Sequence, residues 1–136
     1  MAQTVLLAED EATIRTVVAI SLQEEYSVLP TCDADEALCV ARSHVNIALL
    51  LTDVQMCGGS MDGIELAERM LEENPGTRVL VMSGSLDSLA LAQKKGLPFL
   101  EKPFTIRRLI ERVREVLAAK IPVKSETLAR VRKVTG

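Results

Sequence analysis

The sequence predicts a doubly wound α/β fold, in which five helices cover both faces of a five-stranded parallel sheet. Short apolar runs alternate with segments in which apolar residues recur every three or four positions. This alternation is typical of parallel strands joined by crossover helices. The middle run, residues 47–52, is apolar almost throughout, as expected of a central strand buried on both faces. The chain has 136 residues, of which 48% are hydrophobic, and this suits one domain with one core.

The first half of the chain contains the first three predicted strands and two helices. Residues 4–8 and 26–29 are short, largely apolar runs and form the first two strands. Helices are predicted over residues 11–24 and 34–43, because apolar residues recur there at helical spacing. In the first helix these residues are Ile14, Val17, Val18 and Leu22.

Residues that end helices indicate where the elements lie in the second half of the chain. The Asn-Pro-Gly segment at 74–76 ends a helix predicted over 62–73, because proline lacks a backbone donor and fits poorly inside a helix. Gly96 follows a helix over 86–95 and is a candidate C′ glycine. The fourth and fifth strands are predicted at residues 78–82 and 97–100.

The last helix has the clearest amphipathic pattern of the chain. Thr105 is its candidate N-cap. Arg107, Arg108 and Arg112 lie off its apolar stripe, on a face that is either solvated or a partner surface. The stripe consists of Ile106, Leu109, Ile110, Val113, Val116 and Leu117.

Charge is distributed unevenly along the chain. Residues 1–101 contain 16 acidic and 6 basic residues, a formal charge of −10, whereas residues 102–136 contain 3 acidic and 10 basic residues, a charge of +7. An acidic body indicates a cation site, and the basic end is either a solvated helix and tail or the site of an anionic partner. We assign residues 1–121 to the domain and 122–136 to a basic tail or the start of a linker, where residues 124–134 could form one more short helix.

Composition excludes several classes of function. No apolar run is long enough to cross a membrane, and the N-terminal segment lacks the features of a secretory signal, so we expect a cytoplasmic protein. Cys32, Cys39 and Cys57 form no CxxC pair and are expected as free thiols. Aromatic residues make up only 2% of the chain, which argues against direct nucleic-acid binding by base stacking.

Polar residues that could carry chemistry follow four of the predicted strands. Glu9 and Asp10 follow the first strand, Asp53 the third, Ser83 the fourth and Lys102 the fifth. In open parallel sheets the strands end at one edge and ligands bind there, so these side chains should converge. Three carboxylates with no His or Cys among them favour Mg²⁺ over zinc.

This set of groups suits phosphoryl transfer onto a carboxylate. A cation neutralises the negative charge of both reactants, while Lys102 pairs with the incoming anion and Ser83 donates a hydrogen bond to it. Glu9 and Asp10 are adjacent and suit metal binding. Asp53 stands alone at the end of the most buried strand and is therefore the candidate nucleophile.

Five motifs give the chain a resemblance to the receiver domain of two-component response regulators, the CheY-like family. They are LLAEDE (6–11), LLLTDVQM (49–56), MDGIEL (61–66), VLVMSG (79–84) and FLEKPF (99–104), and the resemblance covers roughly residues 4–119. It implies a flavodoxin-like sheet with the strand order 2-1-3-4-5.

The resemblance also implies the chemistry of the acidic residues. Asp53 would accept a phosphoryl group from a phosphohistidine of a sensor histidine kinase or phosphotransfer domain. Glu9, Asp10 and Asp53 would hold Mg²⁺, together with the backbone carbonyl of Gln55. Such a domain catalyses its own phosphorylation and dephosphorylation but turns over no external substrate.

Ser83 and Lys102 would bind the phosphoryl oxygens, and the Lys102–Pro103 peptide bond would be cis. Phe99 occupies the position of the aromatic switch residue. On phosphorylation, Ser83 would move toward the phosphate and Phe99 would turn inward, changing a partner surface on the fourth helix, fifth strand and fifth helix.

Two features depart from the family pattern. The loop MCGGSMDG has Cys57 where proline is usual and is about two residues longer than the common form, which bears on access of the phosphoryl donor and on the exposure of Cys57. Phe99 lacks the hydroxyl of the tyrosine often found at its position, so it cannot donate a hydrogen bond there.

Competing functions differ in the residues they need. A degenerate receiver, acting only as a protein-binding module, is disfavoured by the complete set of site residues. A phosphatase on a similar sheet would need a second aspartate where Gln55 stands, and in a flavin carrier Glu9 and Asp10 would repel the phosphate. The expected partners are the phosphoryl donor and a downstream effector or fused output domain, and no membrane partner is expected. Whether a second copy of the chain is also a partner stays open at this point.

Overall fold

The computed structural model describes residues 2–44 and 46–119. Strands and helices alternate along them in the predicted order. The strands are β1 (Thr4–Ala8), β2 (Ser27–Thr31), β3 (Ile47–Asp53), β4 (Arg78–Ser83) and β5 (Phe99–Glu101). The helices are α1 (Ala12–Leu22), α2 (Ala34–Ser43), α3 (Gly63–Glu73), α4 (Leu86–Lys94) and α5 (Ile106–Ala118).

The strands form one parallel sheet with the order β2-β1-β3-β4-β5, which confirms the predicted topology. Within the described ranges, no helix is long and apolar enough to cross a membrane. The tail predicted over 122–136, with its optional helix at 124–134, lies outside the described residues.

The fifth strand begins later than predicted because the end of α4 uses the preceding residues. The Leu97 N–H donates to the Ala92 carbonyl at 2.9 Å, and the Gly96 N–H donates to the Gln93 carbonyl at 3.1 Å. Gly96 has φ of +72°, which confirms it as the C′ glycine of this helix end. Leu97 therefore closes the helix, and β5 starts at Phe99 rather than at residue 97.

Two apolar clusters cover the opposite faces of the sheet. Along β3, Leu50 packs with residues of α2, α3 and α4, whereas Leu49 and Leu51 pack with residues of α1 and α5. This alternation follows the two-residue period of a strand. On α1, Val18 is buried but Val17 is 44% exposed, because Val17 lies at the edge of the stripe that packs on the sheet.

Side-chain caps fix where four of the helices begin. In each case the capping oxygen accepts a hydrogen bond from the backbone N–H three residues later. Since these helices begin after loops that leave the carboxyl ends of the strands, the caps also hold the loops around that edge. The capping residues are Asp33, Asp62, Ser85 and the predicted Thr105.

Candidate functional site

The carboxyl ends of β1, β3, β4 and β5 lie side by side, because hydrogen bonds between neighbouring strands continue past the ends of the strands. The Val54 N–H donates to the Met82 carbonyl at 3.0 Å, and the Lys102 N–H donates to the Ser83 carbonyl at 2.9 Å. On the other side, Ala8 lies opposite Thr52 in the register of β1 and β3. The residues that directly follow these positions are therefore neighbours at one edge.

Three of the predicted carboxylates meet at this edge. Glu9, Asp10 and Asp53 each offer one oxygen, and these oxygens lie within 4.8 Å of one another. Glu9 is only 1% exposed and Asp53 only 7% exposed, whereas Asp10 is half-buried. The cluster is thus open toward Asp10 and closed behind Glu9.

Lys102 lies between the two buried carboxylates. Its ammonium is 3.3 Å from Glu9 Oε2 and 3.3 Å from Asp53 Oδ1. The peptide bond between Lys102 and Pro103 is cis, in agreement with what the family resemblance implies. Lys102 therefore links the first, third and fifth strands at the site.

The electrostatics of the cluster favour a bound cation. Burial raises the pKa of Glu9, and the charge of Asp53 raises it further, against the opposing effect of Lys102. Burial likewise raises the pKa of Asp53; Lys102 opposes this shift and Asp10 adds to it. One ammonium faces three carboxylates, so the residues present fit a hard divalent cation such as Mg²⁺.

Of the remaining predicted residues, Ser83 and Gln55 lie at the same edge, whereas Phe99 begins β5 and lies opposite Val81 of β4. Ser83 is buried, and its hydroxyl oxygen accepts a hydrogen bond from the Ser85 N–H at 3.0 Å. The Gln55 side chain is exposed, two residues beyond Asp53. Phe99 is half-buried against the cluster that faces α2, α3 and α4, and its carbonyl oxygen accepts a hydrogen bond from Arg112 Nε at 3.1 Å.

Sequence reasoning missed two residues that shape the site. Arg15 of α1 donates to the backbone carbonyl oxygens of Glu9 at 2.8 Å and of Asp10 at 3.4 Å. It therefore stabilises the backbone of the acidic loop, the segment that carries these two carboxylates. Gly63 begins α3 so close to β3 that a Cβ there would overlap the Asp53 carbonyl oxygen. The motif MDGIEL contains this glycine, but only the packing of α3 shows why no side chain fits.

Residues 5–114 match the sequence model of the response regulator receiver domain. The chain belongs to this family. It is 35% identical over 132 residues to the nitrogen assimilation regulatory protein NtrX of Azorhizobium caulinodans, an alignment that covers 91% of this chain and 29% of the relative. It is 30% identical to the response regulator receiver protein CpdR of Brucella abortus, across 85% of this chain and 97% of that protein.

A solved structure agrees with these sequence relatives. A response regulator receiver protein from Sinorhizobium medicae superimposes with a TM-score of 0.78 at 28% identity, covering 87% of this chain and 96% of that one. The chain thus spans nearly all of a single receiver domain but less than a third of NtrX. The family match confirms the fold and places the chain among two-component signalling proteins.

Proposed function

We propose that Asp53 accepts a phosphoryl group from a phosphohistidine of a partner kinase or phosphotransfer domain, in a reaction that depends on Mg²⁺. The observation that carries this proposal is the meeting of buried Asp53 with two further carboxylates and one ammonium. A buried carboxylate with a single lysine needs more positive charge before an anionic donor can approach. Bound Mg²⁺ would supply that charge and neutralise the phosphoryl oxygens.

The protein's own residues divide the work of this transfer. Glu9, Asp10, Asp53 and the Gln55 carbonyl would hold the cation. One Asp53 oxygen forms the new bond to phosphorus as the bond from phosphorus to the donor imidazole nitrogen breaks, and the imidazole keeps that electron pair. Lys102, now paired with Glu9 and Asp53, turns its ammonium to a phosphoryl oxygen.

Ser83 would link the site to the surface formed by α4, β5 and α5. Its hydroxyl would leave the Ser85 N–H and donate to a phosphoryl oxygen, while its carbonyl stays bonded to the Lys102 N–H. The hydrogen bond from Arg112 to the Phe99 carbonyl joins α5 to β5. The surface of α4, β5 and α5 is therefore the proposed contact for an effector or a fused output domain.

Intact mass after incubation with acetyl phosphate tests the proposal. With Mg²⁺, the wild type should gain one phosphoryl group, about 80 Da, and addition of EDTA should abolish the gain. Asp53→Asn should gain nothing, because the amide is no nucleophile. Asp87→Asn, which changes an exposed aspartate of α4 in the same way, should behave as the wild type.

A folded wild type that gains no mass would contradict the proposal. The chain would then act as a protein-binding module, the alternative that needs no phosphoryl acceptor. Gain of mass on Asp53→Asn would place the acceptor on another residue.

A further inference from the structure

The loop between β3 and α3, residues 54–62, is attached at two separate points. At one end, the Cys57 N–H donates to Asp10 Oδ2 at 2.9 Å. At the other end, both the N–H and the hydroxyl of Ser60 donate to Asp35, at 2.9 Å to Oδ2 and 2.7 Å to Oδ1. The loop thus connects a carboxylate of the acidic cluster with the first turn of α2.

Two glycines let the chain reach both points. Gly58 and Gly59 have φ of +78° and +83°, a conformation that favours glycine over residues with a side chain. Gly59 also lies against the start of α2, since a Cβ there would be in van der Waals contact, 3.4 Å from Asp35 Oδ2 and 3.5 Å from Asp33 Cβ. The residues that make this loop longer than the common form therefore form a turn that packs against the start of α2.

We propose that Asp35 and Ser60 form a latch that seats this loop on α2, and that the Cys57 N–H thereby orients the Asp10 carboxylate for the cation. The inference rests on the proposed Mg²⁺ site. Lys102 pairs with Glu9 and Asp53, whereas Asp10 receives its side-chain hydrogen bond from the loop. With Oδ2 held by Cys57, the other carboxylate oxygen keeps its lone pairs for a metal.

The latch residues act through another group and are positioning residues. Hydrogen bonds to a metal-binding carboxylate fix its orientation, and loss of such a partner costs about 10-fold or more in metal affinity. Asp35 and Ser60 are both exposed, so substituting them should leave the fold intact. Their effect should appear in Mg²⁺ binding and in the protection of the Cys57 amide.

The experiment measures the Kd for Mg²⁺ by calorimetry and the hydrogen exchange of the Cys57 amide by NMR. Ser60→Ala and Asp35→Asn should each weaken Mg²⁺ binding about 10-fold and speed exchange at Cys57. The matched control is Glu36→Gln, which removes the same charge one residue along α2, where Glu36 contacts Cys32 instead of the loop. It should match the wild type in both measurements.

Three outcomes would overturn the latch alone. An unchanged Kd in both variants would show that Asp10 needs no support from the loop. An equal loss in Glu36→Gln would assign the effect to net charge, and unchanged exchange at Cys57 would show that the loop is held by other contacts. If the wild type itself binds no Mg²⁺, the proposed function fails and the latch with it, whereas the first three outcomes leave that function intact.

Discussion

The interior of the sheet and its carboxyl edge treat buried polar groups in opposite ways. In the interior, backbone groups pair along the parallel ladders, and just before β4 the buried hydroxyl of Thr77 donates to the Ile47 carbonyl oxygen at 2.8 Å. At the carboxyl edge, Glu9 and Asp53 lie buried beside each other, and burial raises the pKa of both. The interior of the sheet pairs its polar groups in hydrogen bonds, whereas the carboxyl edge keeps groups of like charge close together.

The buried carboxylates destabilise the carboxyl edge through charge repulsion and desolvation, and not through missing hydrogen bonds. Within the described ranges, no buried side-chain nitrogen or oxygen atom is without a partner. Functional sites commonly retain such unfavourable charges because removing them would remove the activity. The interior therefore stabilises the domain, whereas the carboxyl edge lowers that stability because it keeps charged groups together at the site.

The strongest test of the stabilising region is Leu50→Ala. Leu50 is fully buried in β3, so the cavity should lower the free energy of unfolding by about 2–5 kcal/mol. Urea denaturation followed by circular dichroism measures the change. The control is Leu86→Ala on α4, where the side chain is 77% exposed and the effect should stay within about 0.5 kcal/mol. Equal losses in both variants would contradict the assigned core.

Gly63→Ala tests the boundary between the two regions. The new Cβ would overlap the Asp53 carbonyl oxygen, a backbone atom that cannot turn away, so α3 or the end of β3 must shift. We expect a loss of about 1–3 kcal/mol in stability and slower phosphorylation of Asp53, measured by urea denaturation and by intact mass. Gly76→Ala, where a Cβ would meet no atom within 4 Å, should change neither; wild-type stability in Gly63→Ala would show that this close approach is unimportant.

Asp53→Asn should increase the free energy of unfolding, and its effect should be the smallest of the three. It removes a buried charge whose folded pKa is raised mainly by burial, so the variant should be more stable at neutral pH by about 0.5–2 kcal/mol. The contribution of Asp53 to wild-type stability falls as pH rises from the ordinary aspartate pKa of about 3.9 through the raised folded value. In that interval the folded chain holds the proton more tightly than the unfolded chain.

The advantage of Asp53→Asn should therefore be full above the raised pKa and vanish in acid below the ordinary one. Thermal unfolding over a pH series measures it, with Asp87→Asn as the exposed control. A variant that is less stable than the wild type at neutral pH would mean that the ion pair with Lys102 outweighs burial.

Local patterns predicted most of the architecture correctly. The Thr105 cap, the Gly96 helix end and most of the apolar stripe of α5 depend on neighbours within a few positions, which the sequence displays directly. Ile106, predicted as part of that stripe, is 38% exposed. Where prediction and structure differ, a competing local demand is responsible. Leu97 is apolar enough for a strand, but its N–H is already used by the end of α4.

The candidate site was partly predictable for a related reason. Because the carboxyl ends of parallel strands share one edge, the sequence alone predicts that Glu9, Asp53 and Lys102 lie together. The pairing of Lys102 with two carboxylates, rather than with one, is a matter of side-chain reach and burial. That detail follows from the packed edge.

The sequence alone established the order of elements, the Thr105 cap, the Gly96 helix end and the residues that follow each strand, because these depend on short-range periodicity and backbone chemistry. Three features follow from the packing of the folded chain: Arg15 supports the acidic loop, Gly63 must lack a side chain and Asp35 accepts hydrogen bonds from Ser60. Asp35 and Ser60 lie 25 residues apart in the chain, whereas Arg15 lies within six residues of the carbonyl groups that it contacts. Their geometry is set by how helices pack on the twisted sheet, and no spacing within the sequence encodes it.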